Sequence, residues 1–254
     1  MKKFFKIILF FICVIALLIA AVFLMTAGMA DVADDFFKSA KAKDQTKMQI
    51  HLHQHIVNDL PEIIQYLNDN GMDQVTDSSW SSRAFVNSSG NISGELTTAN
   101  NETIKTRMTF LKVDGDWKIY SIQKQDSSSK GAQAPTISVQ KAIVHDAMKS
   151  FMAAGSEKSM KSFHAIISNY WKSQITVEQL DKAFGSIYQA KMDLRFLDNV
   201  TPEIENYSIN KDGILELSGF FPANNVTIYF SQEYIYEGTQ WKLFGFNYSS
   251  KKPE

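Results

Sequence analysis

The stretch DGDWKIYSI, residues 114–122, has a second copy in EGTQWKLFGF, residues 237–246, and the pair decides how the chain is read. Trp117-Lys118-Ile119-Tyr120 falls on Trp241-Lys242-Leu243-Phe244 when the chain is slid by 124 residues. In the same register Ala99-Asn100-Asn101 falls on Ala223-Asn224-Asn225, and Thr103-Ile104 on Thr227-Ile228, with no gap across the span. Three matches in one register mark a duplication, where a single Trp-Lys match would not. Each copy closes a series of apolar runs separated by turn residues. In the first half these are Ser89-Gly90, Asn100-Asn101 and Asp114-Gly115-Asp116, and in the second Asp212-Gly213, Ala223-Asn224-Asn225 and Gly238-Thr239. Such punctuation predicts an antiparallel meander at the end of each half.

Upstream of each meander the period changes to that of a helix. Residues 32–41 place Phe36, Phe37 and Ala40 on one stripe, and residues 142–154 do the same with Val144, Met148, Phe151 and Met152. Further helix is predicted over 50–67, broken near Pro61 and closed by Asn70-Gly71. The second half adds 158–171 and 177–190, the latter opened by Thr176 with Glu178 and Gln179 in its first turn. Helices first and a meander last is an α+β pattern. Between the halves QDSSSKGAQAP, residues 125–135, is polar and aperiodic and reads as a linker. The expected organisation is therefore residues 1–30, a domain over 31–125, a linker over 126–138 and a domain over 139–250.

Composition narrows the class. With 44% apolar and 21% charged residues in 254, and only 12 Gly and 5 Pro, the chain is globular, not disordered or fibrous. A net charge of −1 without a basic cluster argues against a nucleic-acid partner. The single cysteine, Cys13, excludes a disulfide framework and a Cys-based zinc module.

The N-terminus departs from this average. No charge occurs between Ile7 and Ala30, and residues 7–25 are almost continuously apolar, long enough to cross a hydrocarbon core of about 30 Å. Lys2, Lys3 and Lys6 precede the run, which predicts a cytoplasmic N-terminus and export of everything from Asp31 onward. Gly28-Met29-Ala30 resembles a cleavage site, but the apolar run exceeds the usual signal core, so a retained anchor is the expectation. Cys13 lacks the small preceding residue of a lipoprotein site, because Phe10-Phe11-Ile12 stand before it. Seven Asn-x-Ser/Thr triplets reflect a Lys/Asn/Ser-rich composition, and the expected setting is a bacterial inner membrane with the C-terminal domains in the periplasm or outside the cell.

The helices followed by hairpins ending in DGDWKIYSI and EGTQWKLFGF resemble the NTF2-like (cystatin-like cone) superfamily, in particular its bacterial exported members with a G-x-W-K-[IL] final strand. The resemblance covers about 31–125 and about 140–249. It implies a curved antiparallel sheet wrapped round helices, with a pocket at the wide end. It also implies a choice among non-catalytic binding modules, VirB8-like secretion scaffolds and small isomerase or dehydratase enzymes, since fold does not settle function.

Several residues are candidates for chemistry. His51, His55 and Asp59 would share one face of a helix at ligand spacing, a possible metal set, against the plainer reading of a solvated face with Leu52, Ile56 and Leu60 turned inward. His164 lies beside Phe163 on an apolar helix face and is the candidate general base if domain two is an enzyme. His145 and Asp146 are adjacent and point about 100° apart on a helix, so they do not orient each other. Phe163, Tyr170, Trp171, Phe184 and Tyr188 recur at helical spacing, either as core or as the lining of a ligand cavity. Strand alternation sets Trp241 and Leu243 against Phe244, Phe246 and Tyr248, and Trp117 and Ile119 against Tyr120 and Ile122. Two apolar faces predict a sheet covered on both sides, with a protein partner or self-association as the cover. No P-loop, nucleophile elbow, HExxH, EF-hand or Rossmann fingerprint is present, and no cofactor is expected.

Overall fold

The structure, a computed structural model, describes residues 28–126, 133–185, 197, 199–222 and 227–252. The chain divides into two compact units, residues 1–128 and 129–254. Each carries helices and a four-stranded antiparallel meander in sequential order, β1-β2-β3-β4 and β5-β6-β7-β8, so the chain is α+β.

In unit 1, the described part of helix α1 spans residues 28–41. Its buried stripe is Met29, Ala33, Phe36, Phe37 and Ala40. Residues 28–30, expected to belong to the anchor, are thus part of this unit. Helix α2 (Gln45–His51) is capped by Asp44, whose side chain accepts from the Lys47 amide. Helix α3 (Leu60–Asp69) holds Pro61 in its first turn, where a missing N–H costs nothing. The 50–67 helix expected to break near Pro61 breaks earlier: the chain leaves the helix at Leu52, turns through Val57–Asp59, and restarts at Leu60. Strands β1 (Val75–Val86), β2 (Ser89–Thr98), β3 (Thr103–Val113) and β4 (Asp116–Lys124) follow.

Unit 2 opens with α4 (Ile137–Glu157), capped by Thr136. The expected 158–171 helix is two pieces, α5 (Lys161–Ile166) and α6 (Asn169–Lys172), separated by an extended Ile167. Thr176 and Gln179 form a reciprocal capping box at α7 (Val177–Phe184), which Gly185 closes; residues 186–190 of the expected 177–190 helix lie outside the described residues. Strands β5 (Glu203–Ile209), β6 (Leu215–Phe221), β7 (Ile228–Glu237) and β8 (Gln240–Ser249) complete it.

Two of the three irregularities of the first meander recur in the second. Pairing skips Ser81 in β1 and Glu205 in β5, 124 residues apart. It skips Tyr120 in β4 and Phe244 in β8, again 124 apart. Opposite the first pair of bulges stand Gly94 and Gly219, where a Cβ would overlap the carbonyl oxygens of Ser79 and Glu203. Only glycine lets the bulged edge strand approach so closely.

The second pair corrects the expected sheet faces. One extra residue reverses the in–out alternation beyond it. Ile122 therefore returns to the side of Ile119, and both are fully buried in the core of unit 1. Phe246 and Tyr248 likewise return to the side of Leu243 and pack on the core of unit 2, so Phe244, Phe246 and Tyr248 do not form one outer face.

The residue before each bulge also repeats its role. Leu52 makes a parallel bridge to Ile119, and the His53 amide donates to the Ile119 carbonyl at 2.8 Å. Ile167 makes the same bridge to Leu243, and the Ser168 amide donates to the Leu243 carbonyl at 2.8 Å. These contacts explain both helix breaks: the segment after the helix must be extended to pair with the edge strand, which also blunts that edge.

Candidate functional site

The interior of unit 2 gathers most of the residues expected to line a cavity. Phe151 of α4 is its centre, with ring centroids at 4.6 Å from Phe246, 5.0 Å from Tyr248, 5.4 Å from Phe184 and 5.5 Å from Phe163. Phe163 in turn meets Phe246 at 5.2 Å and Trp171 at 6.3 Å. Mostly edge-on pairs of this kind each add about 0.5–1.5 kcal/mol beyond their burial. Tyr170 stands apart, its ring 5.7 Å from that of Phe244, and Tyr188 lies outside the described residues. Three residues of the predicted lining, Phe163, Trp171 and Phe184, and two of the predicted interface, Phe246 and Tyr248, thus belong to one cluster.

Among the described residues no carboxylate hydrogen-bonds to His164. Its Nε2 lies 3.0 Å from the Ile175 carbonyl oxygen, which only a protonated Nε2 satisfies. Glu178, near the start of α7, is held below the usual carboxylate range by hydrogen bonds to its own backbone and to Thr176, with His164 a minor contributor. His145 Nδ1 and Asp146 Oδ1 are 4.0 Å apart, beyond hydrogen-bond distance.

A polar pair in the core is what the sequence reading missed. Gln232 is fully buried and shares its face of β7 with Ile228, Phe230 and Tyr234. The Tyr234 hydroxyl donates to Gln232 Oε1, and burial raises the Tyr234 hydroxyl well above its ordinary range. Gln232 Nε2 has no partner among the described residues. The equivalent positions of unit 1, 124 residues earlier, are Met108 and Phe110, both fully buried. Sliding the halves over one another at those positions would have exposed the difference. Gln140 of α4 is similar: its Nε2 donates to the Pro135 carbonyl at 2.8 Å while its Oε1 has no partner among the described residues.

Glu237, also buried, serves structure. Its carboxylate accepts from the amides of Asn169 at 2.7 Å and Tyr170 at 3.0 Å, tying the end of β7 to the start of α6.

In unit 1 the expected ligand face of His51, His55 and Asp59 does not form, because α2 ends at His51 and the other two sit in the turns that follow. Among the described residues no three His, Cys, Asp or Glu side chains converge as a metal site. Instead His53 and His55 pack ring to ring at 4.6 Å, against Tyr120 at 5.9 and 6.4 Å. The His55 amide donates to His53 Nδ1 at 3.2 Å, and burial, then the neighbouring His55, pushes the His53 pKa down to about 4. A separate open cleft of about 410 Å³ beside the first described residues of α1 is lined by Gly28, Val32, His51, Lys112, Gly115, Asp116, Trp117 and Lys118. There the Lys112 ammonium lies 4.8 Å from the Trp117 ring centroid and 5.7 Å from that of Phe85.

No helix among the described residues is long and apolar enough to cross a membrane, and the expected span over 7–25 lies outside them. No family model matches the chain, and no curated protein does. Among solved structures, the chain is similar to an NTF2-like design at 14% identity and a TM-score of 0.29, covering 38% of this chain and 96% of that one. It is also similar to a cystatin-like protein from Ruminococcus gnavus at 7% identity and a TM-score of 0.34, covering 89% of this chain and 91% of that one.

Proposed function

We propose that the chain is a single-pass protein of the bacterial inner membrane, held by residues 7–25, with two tandem NTF2-like units in the periplasm or outside the cell. The units act as non-catalytic binding or assembly modules, in a layout like that of VirB8-type scaffolds. The observation that carries the non-catalytic reading is the environment of Phe151. Its ring contacts with Phe163, Phe184, Phe246 and Tyr248 occupy the interior where a cone enzyme would keep its substrate. His164, beside Phe163 on α5, commits its Nε2 to a backbone carbonyl.

One observation favours a second reading, ligand binding. Gln232 Nε2 is a buried donor with no partner among the described residues, and leaving such a group unpaired costs about 1–3 kcal/mol. A small apolar molecule carrying a carbonyl or hydroxyl oxygen would satisfy it.

Assembly and catalysis are separated by two variants of the full chain. Tyr229 and Phe220 pair across strands at 6.0 Å on the face of the sheet opposite Phe230 and Phe221, and both are half-buried. Tyr229→Glu is expected to fold, accumulate and lose assembly in detergent-solubilised form, while His164→Ala retains both assembly and phenotype. Loss of phenotype in His164→Ala, with Tyr229→Glu behaving as wild type at equal accumulation, overturns the reading.

A further inference from the structure

Unit 1 begins where the apolar run ends. Only Thr26 and Ala27 separate Met25 from Gly28, and three residue steps reach no more than about 11 Å even when fully extended. Gly28 is already inside the fold, since a Cβ built on it would lie 3.4 Å from Trp117 Cδ1. Met29 is fully buried in the core of unit 1, against Gly90. No spacer remains between the span and the unit. The headgroup layer on one side of a bilayer is about 5–8 Å thick, so whatever surrounds Gly28 is brought to it.

We infer that unit 1 is seated directly on the phospholipid headgroups by the end of its sheet that surrounds Gly28, with Lys112, Lys118, Asp116 and the β1–β2 turn as the contact surface. The inference rests on the anchor reading above. Side chains at this end suit the layer. Exposed Lys112 lies over the buried Trp117 ring beside Gly28, a cation on a long apolar stem of the kind that reaches headgroups. Val86 at the turn is 69% exposed, and the turn is held to β3 by the Lys112 amide donating to the Ser88 carbonyl at 2.8 Å. Charge does not select the surface: Lys112 and Lys118 are offset by Asp114 and Asp116. Chain length does, so the seating is insensitive to the anionic lipid content of the membrane.

The test uses the full chain with Cys13→Ala, in vesicles of phosphatidylcholine with and without phosphatidylglycerol. A fluorophore is placed at Ser88→Cys, or at Asn100→Cys as the distant control, because β2 carries the chain about 30 Å between those two turns. Quenching by a headgroup spin-labelled lipid is expected to be several-fold stronger at residue 88 than at 100, and equal in both vesicle types. Inserting twelve Gly/Ser residues between Ala27 and Gly28 should bring the residue 88 signal down to that of residue 100. Equal quenching at 88 and 100 in protein that resists alkaline carbonate extraction overturns the seating alone. Release of the protein by carbonate overturns the anchor reading and the seating with it.

Discussion

Tyr120 and Phe244 occupy one structural position, 124 residues apart: each is the extra residue that interrupts the pairing of the last strand of its meander. Each turns its ring onto the segment that docks on that strand, Tyr120 onto His53 and His55, Phe244 onto Tyr170. The duplication is therefore preserved in its bulges and edge contacts as well as in its Trp-Lys motif. Bulges increase local twist and bend the strand that carries them, which is how a meander comes to close over helices.

The glycines facing the first bulge should be intolerant of any side chain. Gly94→Ala or Gly219→Ala forces a methyl group into a carbonyl oxygen of the neighbouring strand. A loss of about 2 kcal/mol or more is expected in urea denaturation, at the upper part of the range for overpacking. An unchanged midpoint would mean that the edge strand is not held where the bulge places it.

The sequence alone revealed the repeat, the helices-then-meander order and the Thr176 cap, because each rests on local patterns of spacing. It misplaced the faces of the last strands, because an extra residue such as Phe244 leaves no trace in an alternating apolar run. It also ran helices through Leu52 and Ile167. Both residues are apolar and in helical phase, and only their pairing with Ile119 and Leu243 takes them out of the helix. Gln232 was invisible for a related reason: a lone glutamine in a strand reads as an outward residue until its neighbours are known to be buried.

Transplanting the apolar pair of unit 1 into unit 2 should expose what Gln232 does. Tyr234→Phe alone leaves Gln232 Oε1 without its donor and is expected to cost about 1–3 kcal/mol. Gln232→Met combined with Tyr234→Phe removes both polar partners at similar volume and should be neutral or stabilising. Thermal midpoints of the two variants check this. A double variant as damaged as the single one would contradict it.

His53 makes unit 1 acid-sensitive. Its pKa of about 4 in the fold lies below the 6.5 of an exposed histidine, so the unfolded chain takes up the proton first. The stability this residue contributes is complete above pH 6.5 and is lost as pH falls from 6.5 through 4. The urea midpoint of wild type should drop between pH 7 and pH 4.5, and drop less in His53→Gln. Parallel slopes in the two proteins would rule His53 out as the source.

Glu237 should be worth more than an ordinary surface carboxylate. Glu237→Ala leaves the Asn169 and Tyr170 amides without this acceptor, for an expected loss of about 1–3 kcal/mol. Glu237→Gln keeps an acceptor oxygen and should recover part of that loss in the same denaturation assay. Equal damage in both would point to charge, not hydrogen bonding, as what matters there.

The account turns on a retained anchor joined without a spacer to unit 1. Cleavage after Ala30 would remove Met29, a fully buried core residue, and deleting a buried methionine side chain typically costs about 2–5 kcal/mol. The most direct measurement is peptide mapping of the mature protein recovered from the membrane fraction. A peptide in which Met29-Ala30 is still joined to Asp31, present at the same abundance as peptides from residues 114–122, is the expected result. A mature N-terminus at Asp31 would contradict the account.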